Sequence, residues 1–267
     1  MAEKGIVKTD KFEMEYFKFG SGDKCLVMVP GLSIQSVTGN SSAVEGACKI
    51  YANDFTVYVF DRRMSIPEDY SIYDMADDTA AAIKKLGLKD VNLFGASQGG
   101  MISLVIAIRY PELVKKLVLA STSSHIQNGQ SAVIDKWIRL AEEKNRRELY
   151  QEYGREIYPS DIYEKFKDFF TEAAATVTDE ELEKFVILAK AIRNFDVSKE
   201  LKKLDCPVFV MGVFEDSVLD SDATMEIAEN LDYRDDFALY LYKGYGHAAF
   251  DTAPDYKKRV YEFLMKE

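Results

Sequence analysis

Six short segments of this chain place apolar residues on both faces of a strand, so neither face can be left in water. They are residues 26–29 (Leu-Val-Met-Val), 57–60 (Val-Tyr-Val-Phe), 91–94 (Val-Asn-Leu-Phe), 117–120 (Leu-Val-Leu-Ala), 208–211 (Val-Phe-Val-Met) and 239–242 (Leu-Tyr-Leu-Tyr). A sheet with one wet face alternates polar and apolar side chains, whereas two-sided apolar runs require a sheet covered on both faces, as buried parallel sheets are. Helical patterns fall between several of the runs. Ser71 and Asp74 form an N-terminal cap, and Ile72, Met75, Thr79, Ile83 and Leu86 recur at helical spacing before Gly87. Residues 99–110 are strongly apolar, a largely buried helix stopped by Pro111. Alternating strands and helices imply right-handed crossovers and predict an α/β fold with helices on both faces of an open sheet. One segment departs from this. Phe12, Met14 and Tyr16 alternate with Glu13 and Glu15, which predicts a half-buried strand in an antiparallel edge hairpin.

The rhythm breaks after Ala120. From Ser131 to Phe195 the strand pattern is replaced by charged amphipathic helices. One carries Val133, Ile134, Trp137, Ile138 and Ala141 on one face. Another starts at Thr178, with Glu181 as capping partner and Leu182, Phe185, Val186, Ala189 and Ile192 on one stripe. The reading is a helical insertion between two strands of one sheet, with a core of residues 1–121 and 200–267 and a cap of residues 122–199.

Charge narrows the function classes. The 267 residues carry a formal net charge of −11, which opposes binding to phosphate backbones. Lysine pairs such as Lys84-Lys85 and Lys202-Lys203 occur without the apolar face that surface membrane binding requires. No apolar run is long enough to span a bilayer, and the N-terminal residues open no secretory signal. The three cysteines, Cys25, Cys48 and Cys206, form no C-x-x-C pair, and Cys25 and Cys206 are expected as buried strand residues. The two histidines are too far apart in sequence for a local metal motif. The expectation is a soluble cytoplasmic protein that acts on a small molecule, with no metal and no cofactor.

The chemistry concentrates at loops that follow strands. Gly95-Ala96-Ser97-Gln98-Gly99 matches G-x-S-x-G directly after one apolar run and at the start of a helix. A serine on so sharp a turn needs strained backbone angles, and the small flanking residues let the chain pass close to itself. Its hydroxyl then stands clear of the sheet at a helix N-terminus, where the dipole favours developing negative charge. A serine alcohol is a poor nucleophile until a base takes its proton. His247, in Gly244-Tyr245-Gly246-His247 after the last strand, is the candidate base. His125 lies at the entrance to the insertion, a loop residue within reach of the pocket. Asp216 is the candidate acid that orients the imidazole, with Glu215 and Asp220 as nearby competitors. The chain order Ser97, Asp216, His247 is the nucleophile-acid-base order of strand-turn-helix hydrolases. Oxyanion donors are expected from the backbone N–H of Gln98 and, after Pro30-Gly31, that of Leu32.

These residues together resemble the α/β-hydrolase superfamily, in its cap-bearing esterase-like branch. The resemblance spans nearly the whole chain and rests on Pro30-Gly31-Leu32, Phe60-Asp61-Arg62-Arg63, Gly95-Ala96-Ser97-Gln98-Gly99-Gly100 and Gly244–His247. It implies eight strands, a helical cap over the site and hydrolysis through an acyl-enzyme. Two loops depart from the family pattern. Pro30 stands where many relatives have histidine, and Arg63-Met64-Ser65-Ile66-Pro67 replaces a glycine-rich turn, with only Ser65 matching. A serine nucleophile argues against dehalogenase or epoxide hydrolase chemistry. Trp137 and Phe195 are available from the insertion to line a pocket. The expected substrate is a small or medium uncharged ester, thioester or lactone. Hydrolysis of a carbon–carbon or amide bond, or a receptor role with negligible turnover, are the competing readings.

Overall fold

A computed structural model describes residues 1–126 and 131–266. Eight strands, β1 (Glu3–Lys8), β2 (Glu13–Phe19), β3 (Lys24–Val29), β4 (Phe55–Arg63), β5 (Val91–Ala96), β6 (Val114–Ala120), β7 (Val208–Val213) and β8 (Phe237–Tyr242), form one sheet in the order β1-β2-β4-β3-β5-β6-β7-β8. The pairs β1/β2 and β2/β4 are antiparallel, and every other pair is parallel. The described helices are α1 (Ser41–Ala47), α2 (Ile72–Lys85), α3 (Gln98–Arg109), α4 (Ala132–Glu142), α5 (Arg146–Ile157), α6 (Ser160–Thr176), α7 (Asp179–Ile192), α8 (Asp220–Leu231), α9 (Ala249–Thr252) and α10 (Tyr256–Met265).

Two-sided burial of the sheet is visible residue by residue. On β6 and β7, Leu117, Leu119, Val208 and Val210 join the core filled by α2, α3, α8 and the inserted helices. Their neighbours Val118, Ala120, Phe209 and Met211 join a second core beneath α10. This is the layered packing that the apolar runs require. The helix starts follow their caps. The Ser71 hydroxyl accepts from the Asp74 N–H at 3.1 Å while the Asp74 carboxylate accepts from the Ser71 N–H at 3.0 Å, and Thr178 and Glu181 repeat the arrangement on α7.

Three details differ from the sequence reading. β8 is an edge strand with no neighbour on one side, so Leu239 is exposed and the run is only half-buried. β4 continues past Asp61 to Arg63, because antiparallel pairing with β2 persists as far as Met14 opposite Arg63. Cys25 lies in β3 but is half-buried, and Cys206 is buried in the loop before β7 rather than in the strand.

Helices α4–α7 all fall between β6 and β7. The chain leaves the sheet and returns to it side by side. His125 bridges Asp196 in antiparallel fashion, and the Val197 N–H donates to the Ser124 carbonyl at 2.8 Å. Within the expected boundaries, residues 127–130 of the insertion and residue 267 of the core lie outside the described residues.

Candidate active site

Ser97 sits between β5 and α3 with φ 51° and ψ −123°, a left-handed conformation that costs a non-glycine residue on the order of 1–3 kcal/mol. Its surroundings fix it there. The Ser97 N–H donates to the Ala120 carbonyl at 2.8 Å, and the Ser97 carbonyl accepts from the Gly100 N–H at 2.8 Å and from the Thr122 hydroxyl at 2.7 Å. Both glycines of the motif are sterically required. A Cβ on Gly99 would lie 2.0 Å from the Val29 carbonyl oxygen, and one on Gly95 would lie 2.4 Å from the Gly99 carbonyl oxygen. The end of β3 therefore passes directly against the first turn of α3, and Gly31 follows next to Ser97.

Asp216 follows β7, and His247 follows β8. The His247 Nδ1 lies 2.9 and 2.8 Å from the two Asp216 carboxylate oxygens, and both side chains are buried. A carboxylate can only accept here, so Nδ1 carries the hydrogen and Nε2 is left as the basic nitrogen. Asp216 Oδ1 also accepts the N–H groups of Val218 at 2.9 Å and Leu219 at 3.1 Å. Burial pushes the Asp216 carboxyl up. The His247 imidazole and the two N–H groups outweigh it and hold the carboxyl below the usual carboxylate range. The competing acids are engaged elsewhere: Glu215 accepts the Gly244 N–H at 2.8 Å, and Asp220 accepts the Asp222 N–H at 2.7 Å at the start of α8. Asp216 is the acid brought to His247.

Ser97, His247 and Leu32 line one cavity of about 350 Å³ at the C-terminal edge of the parallel strands, where open α/β sheets bind ligands. Ser97 Oγ makes no hydrogen bond among the described residues. Neither the Leu32 nor the Gln98 backbone N–H is taken up by a hydrogen bond among the described residues. The Leu32 carbonyl is held by the Tyr153 hydroxyl at 2.6 Å. The fully buried Gln98 side chain donates to the Leu188 carbonyl of α7 at 2.7 Å and accepts from the buried Arg62 guanidinium at 3.2 Å, which also donates to the Pro30 carbonyl at 2.8 Å. Arg62 thereby ties the Pro30 loop to the start of α3.

The inserted helices supply the rest of the wall. Trp137 lines the cavity and packs against Tyr153 with ring centroids 4.8 Å apart. Phe195 does not line it. That ring is buried against Tyr73 at the base of the insertion. His125 does not reach the cavity either, and its Nδ1 faces Glu226 at 3.4 Å. Sequence reasoning missed Tyr153, Tyr158, Phe166, Phe169, Phe170 and Asp251, all cavity-lining. Asp251 carries a usable signal, one helical turn beyond His247. The aromatics of α5 and α6 carry none, since helical spacing does not say which core a ring enters. Among the described residues no group of three His, Cys, Asp or Glu is placed to hold a metal, and no helix is long and apolar enough to cross a membrane.

Comparison with known proteins agrees with the fold. Residues 39–254 match the family model of the alpha/beta hydrolase fold, and the chain belongs to that family. It is similar to RutD of Agrobacterium fabrum, whose name proposes a carbamate hydrolase, at 25% identity over 88% of this chain and 93% of that protein. Among solved structures it is similar to MGS-M2, an alpha/beta hydrolase enzyme from a Medee basin deep-sea metagenome library. The TM-score is 0.87 at 20% identity, covering 98% of each chain. It is also similar to the esterase EaEST of Exiguobacterium antarcticum, with a TM-score of 0.81 at 19% identity, covering 98% of this chain and 99% of that one.

Proposed function

We propose that the chain is a serine hydrolase that cleaves a small or medium carboxylic ester, thioester or lactone through an acyl-enzyme. The observation that carries this is the strained Ser97 opening on the same cavity as a histidine whose Nδ1 is held by a buried carboxylate. In this reading His247 Nε2 takes the Ser97 hydroxyl proton as Oγ attacks the carbonyl carbon. The oxyanion of the tetrahedral intermediate accepts the N–H groups of Leu32 and Gln98, each donor worth about 10²–10³ in rate. His247 passes its proton to the leaving alkoxide or thiolate. It then takes a proton from water, whose oxygen attacks the acyl carbon, and returns that proton to Ser97 as the acid departs. Asp216 keeps the imidazole in its tautomer and balances the transient imidazolium. Residues 122–199 act as a cap, with Trp137 part of the substrate wall.

Turnover of a p-nitrophenyl ester series, from acetate to longer acyl chains, tests the proposal on wild type and Ser97→Ala. Many equivalents from wild type and none from the variant are expected. A wild type that stops near one equivalent, or never reacts, overturns it. The name of RutD favours a second bond, a carbamate, and a p-nitrophenyl carbamate in the same series separates the two by its turnover relative to the matched ester.

A further inference from the structure

The cavity wall carries one carboxylate that this chemistry does not use. Asp251 lies on α9 and lines the cavity together with Ser97 and His247. Its side chain is exposed by surface area and forms part of the cavity wall. Oδ2 accepts from the Tyr158 hydroxyl at 3.1 Å. Tyr158 in turn packs against Phe166 and Phe170, with ring centroids 6.2 Å away in each case, and all three rings line the cavity. Among the described residues no Lys or Arg lines it. Lys257 of α10 acts on the carboxyl at longer range, its Nζ being spent on the Phe250 carbonyl at 2.9 Å.

A carboxylate on a cavity wall without a paired cation attracts a cation that arrives with the ligand, the more so as the ligand displaces water from between them. Aromatic faces beside it add attraction for the same charge. We propose that Asp251 is a specificity-determining residue that seats an alkylammonium group of the substrate against the rings of Tyr158, Phe166 and Phe170. The proposal rests on the hydrolase reading of the same cavity, and it replaces the expectation of an uncharged substrate with a cationic one. Burial pushes the Asp251 carboxyl up, against the opposing pulls of Lys257 and the Tyr158 hydroxyl. The groups that act on it are Cys48 after α1, Tyr153 on α5, Tyr158 after α5, and Tyr256 and Lys257 on α10, while His247 shares the cavity. Binding of a cation therefore strengthens as pH rises through the Asp251 titration.

Trp137, the single tryptophan of the chain, lines this cavity and reports on its occupancy without catalysis. Its fluorescence is titrated with phenethylammonium and with the uncharged 2-phenylethanol, on wild type and Asp251→Asn. Wild type should bind the cation about tenfold or more tightly than the alcohol, and the variant should lose that preference. Equal binding of the two probes by wild type, binding of neither, or a preference that survives in the variant overturns the proposal. The wild-type comparison decides even where the variant fails to fold. Hydrolysis of acetylcholine against its uncharged isostere 3,3-dimethylbutyl acetate is measured alongside. Turnover of the neutral ester with no cation preference in the titration defeats the inference and leaves the hydrolase standing. A cation preference with no ester turned over does the reverse.

Discussion

The floor and the wall of the cavity are built by different physics. The floor consists of Ser97, Leu32, Asp216 and His247, on loops at strand ends, and it is held by short polar contacts in buried surroundings. The wall consists of Trp137, Tyr153, Tyr158, Phe166 and Phe170, on inserted helices, and it is held by rings against rings. The two carboxyls show the contrast most directly. Asp216 is buried but receives three hydrogen bonds from the imidazole and two backbone N–H groups, and its pKa falls. Asp251, on the cavity wall, has one phenol as donor, and its pKa rises. Desolvation raises both, and the imidazole and backbone donors that only Asp216 receives turn its shift downward. A floor of this kind tolerates little change, because each group is satisfied by one geometry. A wall of packed rings can exchange one shape for another at moderate cost.

The comparison breaks if floor and wall substitutions cost alike. Ser97→Ala and His247→Ala should each lower turnover by about 10⁴–10⁶, and the double variant should lose little more. Additive losses would show that the two residues do not act as one unit. Asp216→Asn should cost about 10⁴ by fixing the wrong tautomer, with Glu215→Gln close to wild type. A dead Glu215→Gln beside an active Asp216→Asn would reassign the acid. Tyr153→Phe, which frees the Leu32 carbonyl, should lower kcat by about tenfold, since the loop bearing an oxyanion donor is then less firmly placed. Trp137→Phe should shift acyl-chain preference by only a few-fold, about what a methylene or two in an apolar pocket is worth.

Stability against pH sharpens the same contrast. The folded pKa of Asp216 is depressed, so its stabilising contribution is complete above the unfolded carboxylate value of about 3.9 and is lost as pH falls through the lower folded value. Asp251 has the opposite sign. Its contribution is present below the unfolded value and disappears as pH rises through the raised folded value. Thermal unfolding between acid and neutral pH should therefore show Asp216→Asn flattening the acid limb and Asp251→Asn raising stability on the neutral side. The reverse pattern would mean that the two environments have been interchanged.

The floor was readable because its constraints are written in residue types. Gly95 and Gly99 must lack a Cβ, a serine between them must take a left-handed turn, and Asp216 and His247 must end adjacent strands. Each demand leaves a mark at a fixed place in the chain. The alternation of two-sided runs likewise specified the layered sheet. β8 escaped that reading because an edge strand can be as apolar as a central one, and its place at the end of the sheet exposes Leu239. Wall residues escaped for a related reason. Trp137 and Phe195 have the same apolar character and both lie on the insertion, yet one meets the cavity and the other meets Tyr73. That choice depends on how four helices settle on the sheet, which no local spacing records.

The Gln98 side chain turns this division into a linkage. It belongs to the residue whose N–H faces the proposed oxyanion, yet its amide donates to Leu188 on α7. Any displacement of α7 away from α3 must break that bond and leave a buried amide without its acceptor. In the proposed mechanism this one amide couples the placement of α7 to the placement of the residue that would supply an oxyanion donor.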